Sequence, residues 1–286
     1  MRTIVITGGT DGIGRGLALR YLAGGERVVA VGSDPGKGGR LLREAVRLGA
    51  GERAEFVQAD LGSAARSRAV AAELADRHPV LDALVLGAYR YNPRRIRTAE
   101  GLEQTFALYV LSRHLLAEGL RGSLERAPGT PVILSLCGVG GITAGTMRWD
   151  DLQHERAPYR AGRVTMQGAR ANDLLGVSFA ERHAGGRTRY VLYNPGFVAT
   201  GMTQSLRQPM RGLTKAMAAL FAQPVDRAVG PVAALLDDPP TEPLSAFLRG
   251  RPVRLDRPEF DPANAARLHT ALLSLPGEAF RDGTRG

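Results

Sequence analysis

Cysteine is almost missing, with Cys137 alone in a chain of 286 residues. One thiol excludes an internal disulfide framework and a cysteine-based zinc site. Lysine is nearly as scarce: of 38 basic residues only Lys37 and Lys215 are lysines, so arginine carries the formal charge of +10. Those arginines are scattered and interleaved with acids, whereas nucleic-acid binding asks for a stripe or a known module. No nucleic-acid partner is therefore expected. No apolar run approaches the roughly 20 residues needed to span a bilayer. The first strand-like run begins almost at Met1, which leaves no room for a signal peptide, so a cytoplasmic protein without membrane contact is the expectation. The arginine, alanine and glycine bias matches a GC-rich genome and a bacterial source.

What is present is a regular alternation. The β-branched run Thr3–Thr7 has no polar face, as a buried parallel strand requires. Ile13, Leu17, Tyr21 and Leu22 follow at helical spacing, and Arg27–Val31 reads as a second strand. Further strands are predicted around Phe56–Val57, at Ala83–Leu86, Val132–Leu136 and Arg189–Leu192, with a last one at Leu244–Arg249. The helices between them are placed at Gly38–Leu48, Ala64–Asp76, Glu100–Leu120 and Thr165–Arg182, then at Val225–Leu236 and Pro262–Leu275. Such βαβ repetition predicts an α/β fold, a three-layer doubly wound parallel sheet of Rossmann type. No repeat or low-complexity linker marks a boundary, so residues 1–286 read as a single domain. Within it, 201–223 reads as a substrate flap and 224–286 as C-terminal elements. The flap carries Met202, Leu206, Met210, Leu213, Met217 and Leu220, which suggests an apolar or aromatic small molecule.

Thr7-Gly8-Gly9-Thr10-Asp11-Gly12-Ile13-Gly14 joins the first strand to the first helix. Glycines there allow a sharp turn and a close approach to a pyrophosphate, while the helix N-terminus offers unpaired N–H groups. In that position after the first strand, a dinucleotide site is the favoured reading. The same residues resemble the fingerprint of the short-chain dehydrogenase/reductase family. Glu100–Ala107 and Asp151–Gln153 resemble its retinol-dehydrogenase and WW-domain-oxidoreductase branch. The resemblance implies that Gly8, Thr10, Asp11, Gly12, Ile13 and Gly14 bind the cofactor. It implies that Asp60 and Leu61 contact the adenine and that Gly87 and Ala88 border the site. It also implies that Pro195, Gly196, Val198 and Thr200 hold the nicotinamide.

The position that carries a ribose-binding acid in NAD-preferring relatives is Gly32 here. Ser33, Lys37 and Arg40 could instead receive a 2′-phosphate, so NADP(H) is favoured over NAD(H). The alternative, that Lys37 and Arg40 are solvated surface charges, stays open.

The family's chemistry rests on a tyrosine acid, a lysine four residues later, a serine and a helix asparagine, because a phenol needs a nearby cation to act at neutral pH. Registered on Tyr159-x-Ala161-Gly162 and Ala171–Asn172, the tyrosine position holds Thr165 and the lysine position Ala169. Tyr159 with Arg163 has the right internal spacing and remains an alternative dyad. The serine position falls on Cys137 or Gly138, with Ser135 two residues earlier on the same side of the strand. The asparagine position holds Tyr109, and the family's N-N-A-G segment reads Leu86-Gly87-Ala88-Tyr89. Catalytic candidates are thus Tyr109, Ser135, Thr165 and Tyr159, with Tyr89 as a replacement acid or a packing residue. His114 and His154 read as surface or structural residues and Cys137 as buried and inert. Asp150–Asp151 is a poor catalytic pair, and no metal site is expected.

Three readings follow: an oxidoreductase with an atypical proton donor, a non-redox biosynthetic enzyme on the same fold, and a non-catalytic cofactor-binding protein. The first is preferred, and fold analogy weighs heavily in that choice. The family's long helices, here 100–120 and 165–182, form dimer bundles in many relatives, which makes a homodimer an expectation.

Overall fold

The computed structural model describes residues 1–140, 146–196 and 224–275. Its strands are β1 (Thr3–Thr7), β2 (Arg27–Gly32), β3 (Ala54–Gln58), β4 (Ala83–Leu86), β5 (Val132–Leu136), β6 (Arg189–Asn194), β7 (Leu244–Leu248) and β8 (Arg251–Pro252). They form one sheet in the order β3-β2-β1-β4-β5-β6-β7-β8. The first seven pair in parallel, and β8 closes antiparallel on β7. Chain order runs one way from β1 to β3, then reverses through β4. The crevice above β1 and β4 is thus a topological switch point, where open α/β sheets hold ligands.

Alternation of side chains along β1 supplies both cores. Val5 joins the cluster with Val29, Leu84 and Ile133 on one face, while Ile4 and Ile6 join that with Val28, Ala30 and Val85 on the other. The second face is covered by α1 (Gly12–Ala23), α2 (Pro35–Arg47) and α7 (Val225–Asp237). The first is covered by α3 (Ala64–Arg77), α6 (Ala161–Arg182) and a composite helix. That composite consists of α4 (Gln104–Phe106), a π-helical stretch (Ala107–Leu111) and α5 (Ser112–Glu125). The three-layer doubly wound fold expected from the sequence is what forms.

Several boundaries moved. The composite helix starts at Gln104 rather than Glu100, because Gly101 turns at φ +82° and the Glu103 carboxylate caps the Thr105 and Phe106 N–H groups. Helix α6 starts four residues before the predicted Thr165, at a cap position, Arg160, that makes no side-chain cap bond. Helix α8 (Pro262–Leu273) starts at Pro262 as predicted, behind an Asp261 cap, and ends two residues early. It lies on α6, with Ala265, Leu268 and Leu272 fully buried. The stretch of α6 from Gln167 to Phe179 is therefore buried throughout, packed against the sheet and α8. The predicted flap, 201–223, falls outside the described residues.

Candidate functional site

A cleft of about 350 Å³ opens at the carboxyl ends of the first strands, a size suited to a small-molecule or cofactor site. The turn that floors it is held by backbone and by missing side chains. Gly8 sits at φ +70°, and a Cβ there would lie 3.0 Å from the Gly87 backbone. A Cβ on Gly14 would run into the Gly8 carbonyl oxygen. Thr7 fastens this turn to β4: its Oγ1 accepts from the Gly87 and Ala88 N–H groups at 3.0 and 3.2 Å. Asp11 caps α1 by accepting from Gly12 N at 2.8 Å, leaving the helix N-terminus beside the cleft.

Of the residues expected to hold a dinucleotide, Gly8, Thr10, Asp11, Ser33, Lys37, Asp60, Leu61 and Ala88 line this cleft. Gly12, Ile13, Gly14 and Gly87 shape its floor from behind, with Ile13 buried against the core. Pro195 and Gly196 follow β6, Gly196 at φ +76°, while Val198 and Thr200 lie outside the described residues. At Gly32, where the carboxylate is missing, a Cβ would lie 2.9 Å from Thr10 Oγ1. At the rim, Arg90 Nη2 donates to Ser33 Oγ at 3.2 Å, and the Lys37 ammonium pairs with Asp11. Arg40, the third residue proposed for a 2′-phosphate, is exposed and absent from the lining. Asp34 is on the same rim, where backbone bonds from Lys37 and Gly36 hold its carboxyl below the usual range.

Behind Tyr89 and Leu108, which line the cleft, stands a wall of the residues expected to do chemistry, and the structure separates them. Ser135 is fully buried, donates to Asn172 Oδ1 at 3.2 Å and accepts from Arg113 Nη1 at 2.7 Å. It is a core serine and does not face the cleft. Tyr159 lies before α6, and its hydroxyl donates to Glu103 Oε1 at 3.1 Å and to the Asn92 carbonyl at 3.3 Å. Burial and the Glu103 charge push that phenol well above its ordinary value. Arg163 is exposed, so the Tyr159–Arg163 dyad does not form. Tyr109 is buried in the π-helical stretch, its ring filling the space beside Gly168, and burial raises it strongly. Only Thr165 reaches a cleft residue: it is half-buried, with Oγ1 2.9 Å from the hydroxyl of Tyr89, which lines the cleft.

Arg113 organises this wall. It is 1% exposed, and no carboxylate pairs with it among the described residues. Nη1 donates to Ser135 Oγ, Leu136 O and Asn172 Oδ1, Nη2 donates to Ala88 O at 3.3 Å, and the guanidinium lies 4.6 Å over the Tyr109 ring. Asn172 in turn donates to the carbonyls of Gly168 and Tyr109 at 2.8 and 2.9 Å. The Tyr109 carbonyl, within the π-helical stretch, thus accepts from a buried side chain. Helical spacing gave no sign of this role for Arg113, because an arginine on an amphipathic helix reads as solvated. Tyr91, Asp34 and Leu108 were likewise missed as cleft residues.

The remaining candidates prove structural. Burial pushes the Cys137 thiol up to about 12, which leaves it inert. His114 and His154 are both buried, and Asp151 accepts from the Glu155 and Arg156 N–H groups at 2.6 and 3.2 Å. No group of three or more histidine, cysteine or acidic residues is placed to hold a metal among the described residues.

A glycine-floored crevice at the switch point of a doubly wound parallel sheet defines a dinucleotide-binding α/β protein. The family model described as short chain dehydrogenase matches residues 2–129. A Streptomyces sp. (strain C5) protein, named provisionally as a daunorubicin C-13 ketoreductase, is 35% identical over 199 residues, which cover 70% of this chain and 67% of that protein. Human retinol dehydrogenase 14 is 28% identical over 223 residues, 73% of this chain and 65% of that protein. The matches thus span about two thirds of these relatives. The chain belongs to the short-chain dehydrogenase/reductase family. In fold it resembles an NADPH-bound carbonyl reductase from chicken fatty liver (TM-score 0.67, 18% identity, covering 88% of this chain and 98% of that one). A cofactor-bound family member from Caenorhabditis elegans gives a TM-score of 0.68 at 18% identity, covering 87% and 94%. Among the described residues no helix is long and apolar enough to cross a membrane.

Proposed function

We propose that the chain is a bacterial, cytoplasmic, single-domain NADP(H)-dependent oxidoreductase that reduces a carbonyl on an apolar or aromatic small molecule. In this reading it does so without the family's serine, tyrosine, lysine and asparagine. The observation that carries the reading is the cradle from Gly8 to Gly14, where added side chains would strike backbone. Space kept free of side chains beside a helix N-terminus suits a pyrophosphate. Asp60 and Leu61 would border the adenine, while Ser33 and Arg90, with Lys37, would meet a 2′-phosphate. The carboxylates of Asp11 and Asp34 on the same rim limit that preference, and Lys37 offsets Asp11. In its reduced form the bound dinucleotide supplies a hydride, and the chain supplies orientation and a proton. An aromatic or apolar substrate is supported by Tyr89, Tyr91 and Leu108 in the lining and by the name of the Streptomyces relative.

One observation favours a second reading. Helix α6 contains neither tyrosine nor lysine, as a non-redox enzyme or a non-catalytic cofactor-binding protein would allow. NADPH oxidation followed by absorbance against aromatic ketones separates the two. Turnover supports the reductase, and tight NADPH binding without turnover of any ketone moves the assignment to the second reading.

A further inference from the structure

Five of the chain's hydroxyl groups have been considered as proton donors, and their surroundings remove three. Ser135 and Tyr159 donate to Asn172 and Glu103 respectively, and the Tyr109 ring is closed in by Gly168 and Arg113. The hydroxyl pair of Tyr89 and Thr165 is different. Both residues are half-buried, Tyr89 lines the dinucleotide cleft, and the two oxygens are 2.9 Å apart. Thr165 stands where the family places its acid, and Tyr89 reaches the same spot from the opposite wall, 76 residues earlier in sequence.

The backbone around Tyr89 is fixed on both sides. The Ala88 N–H donates to Thr7 Oγ1, the Ala88 carbonyl accepts from Arg113, and Arg90 reaches Ser33. Its ring meets Tyr109 edge-on at 4.8 Å, with the Arg113 guanidinium on that second ring. A side chain anchored in this way is pre-organised, as a catalytic group must be. A phenol is also a far stronger acid than an aliphatic hydroxyl, so within the pair Tyr89 is the donor and Thr165 the relay.

We propose that Tyr89 is the proton donor of this active site, with the Thr165 hydroxyl returning the proton from solvent. The inference rests on the reductase reading above. As the carbonyl carbon accepts a hydride, the Tyr89 O–H bond breaks and a new O–H bond forms on the substrate oxygen, giving an alcohol. The Tyr89 phenolate then takes the Thr165 proton while Thr165 takes one from water. Burial holds Tyr89 above its ordinary value, so the phenol carries its proton at neutral pH.

The test uses the full chain, with Tyr89→Phe and Thr165→Val as variants. Calorimetry with NADPH comes first. The next step titrates benzamide and 2-naphthamide, which present a carbonyl oxygen and are not reduced, into the NADPH complex. Tyr89→Phe is expected to keep NADPH affinity within about twofold and to lose about tenfold in amide affinity, one charge-free hydrogen bond. With a reducible aromatic ketone its kcat falls by about 10²–10⁴, and Thr165→Val falls less while slowing further as pH rises. Amide affinity that is the same in wild type and Tyr89→Phe, including none in either, overturns the proposal. Failure of the wild type to bind NADPH instead overturns the reading on which it rests.

Discussion

The floor of the cleft and its far wall are built from different materials. The floor, from Thr7 to Gly14, recognises through backbone N–H groups and absent side chains, with Thr7 as the fastener to Gly87 and Ala88. The wall, formed by α6, β5 and the π-helical stretch, is tied together by side chains that bond to one another and to nearby carbonyls. The sequence registration sets the family's acid, lysine, asparagine and serine against Thr165, Ala169, Tyr109 and Cys137 or Gly138, as an expectation. A backbone site leaves little to substitute, since a Cβ at Gly8, Gly9 or Gly14 would strike the backbone that shapes it. A side-chain site can be exchanged piece by piece, provided each new group is packed and bonded. Arg113, Asn172 and Ser135 are bonded to one another and to neighbouring carbonyls, with Arg113 Nε left without a partner.

Breaking the floor is expected to have the largest effect. Gly14→Val places a side chain against the Gly8 carbonyl and should lower NADPH affinity by about a hundredfold or more, roughly 2.7 kcal/mol. Full retention of affinity in calorimetry would remove the pyrophosphate from this turn. Restoring the family's dyad in the wall comes next. Ala169 is fully buried, so Thr165→Tyr with Ala169→Lys overfills the wall and should cost about 3 kcal/mol in urea unfolding, without raising ketone reduction. A stable, faster double variant would show that the wall still accommodates the old chemistry. Arg113→Met leaves Ala88 O and Leu136 O short of a donor and should cost about 2–3 kcal/mol. Unchanged stability would mean that this cation organises nothing.

At the rim, Arg90→Ala should lower NADPH affinity about tenfold while leaving NADH within about twofold, as read by paired titrations. Equal losses for both cofactors would detach Arg90 from the 2′-phosphate. The smallest effect is on stability in acid. Burial lowers His114 to about 4 from an ordinary value near 6.5, against the opposing charge of Glu118 and with help from His269, Arg182 and Arg68. The unfolded chain therefore binds this proton first, so stability is lost as pH falls from about 6.5 to 4. His114→Leu should flatten the melting temperature across that window, and a slope equal to wild type would exclude His114 as a contributor.

The βαβ alternation and the glycine turn were legible because each is local: β-branched runs mark buried strands, and one turn with its helix makes the cradle. The start of α6 was not, since Arg160 gives no capping signal, and the start of the composite helix depends on the Glu103 carboxylate accepting from the Thr105 and Phe106 N–H groups. Tyr89 and Thr165 meet across 76 residues, and Arg113 finds its partners on β5, α6 and the segment after β4. No local pattern announces such contacts. Tyr159 shows the converse, for its correct spacing to Arg163 means nothing once its hydroxyl is committed to Glu103.

The central claim is that the floor still holds a dinucleotide beneath a rebuilt wall. Calorimetric titration of the full chain with NADPH and NADH tests it most directly. The account predicts one site per chain for NADPH, bound more tightly than NADH. No heat and no saturation with either cofactor would contradict it.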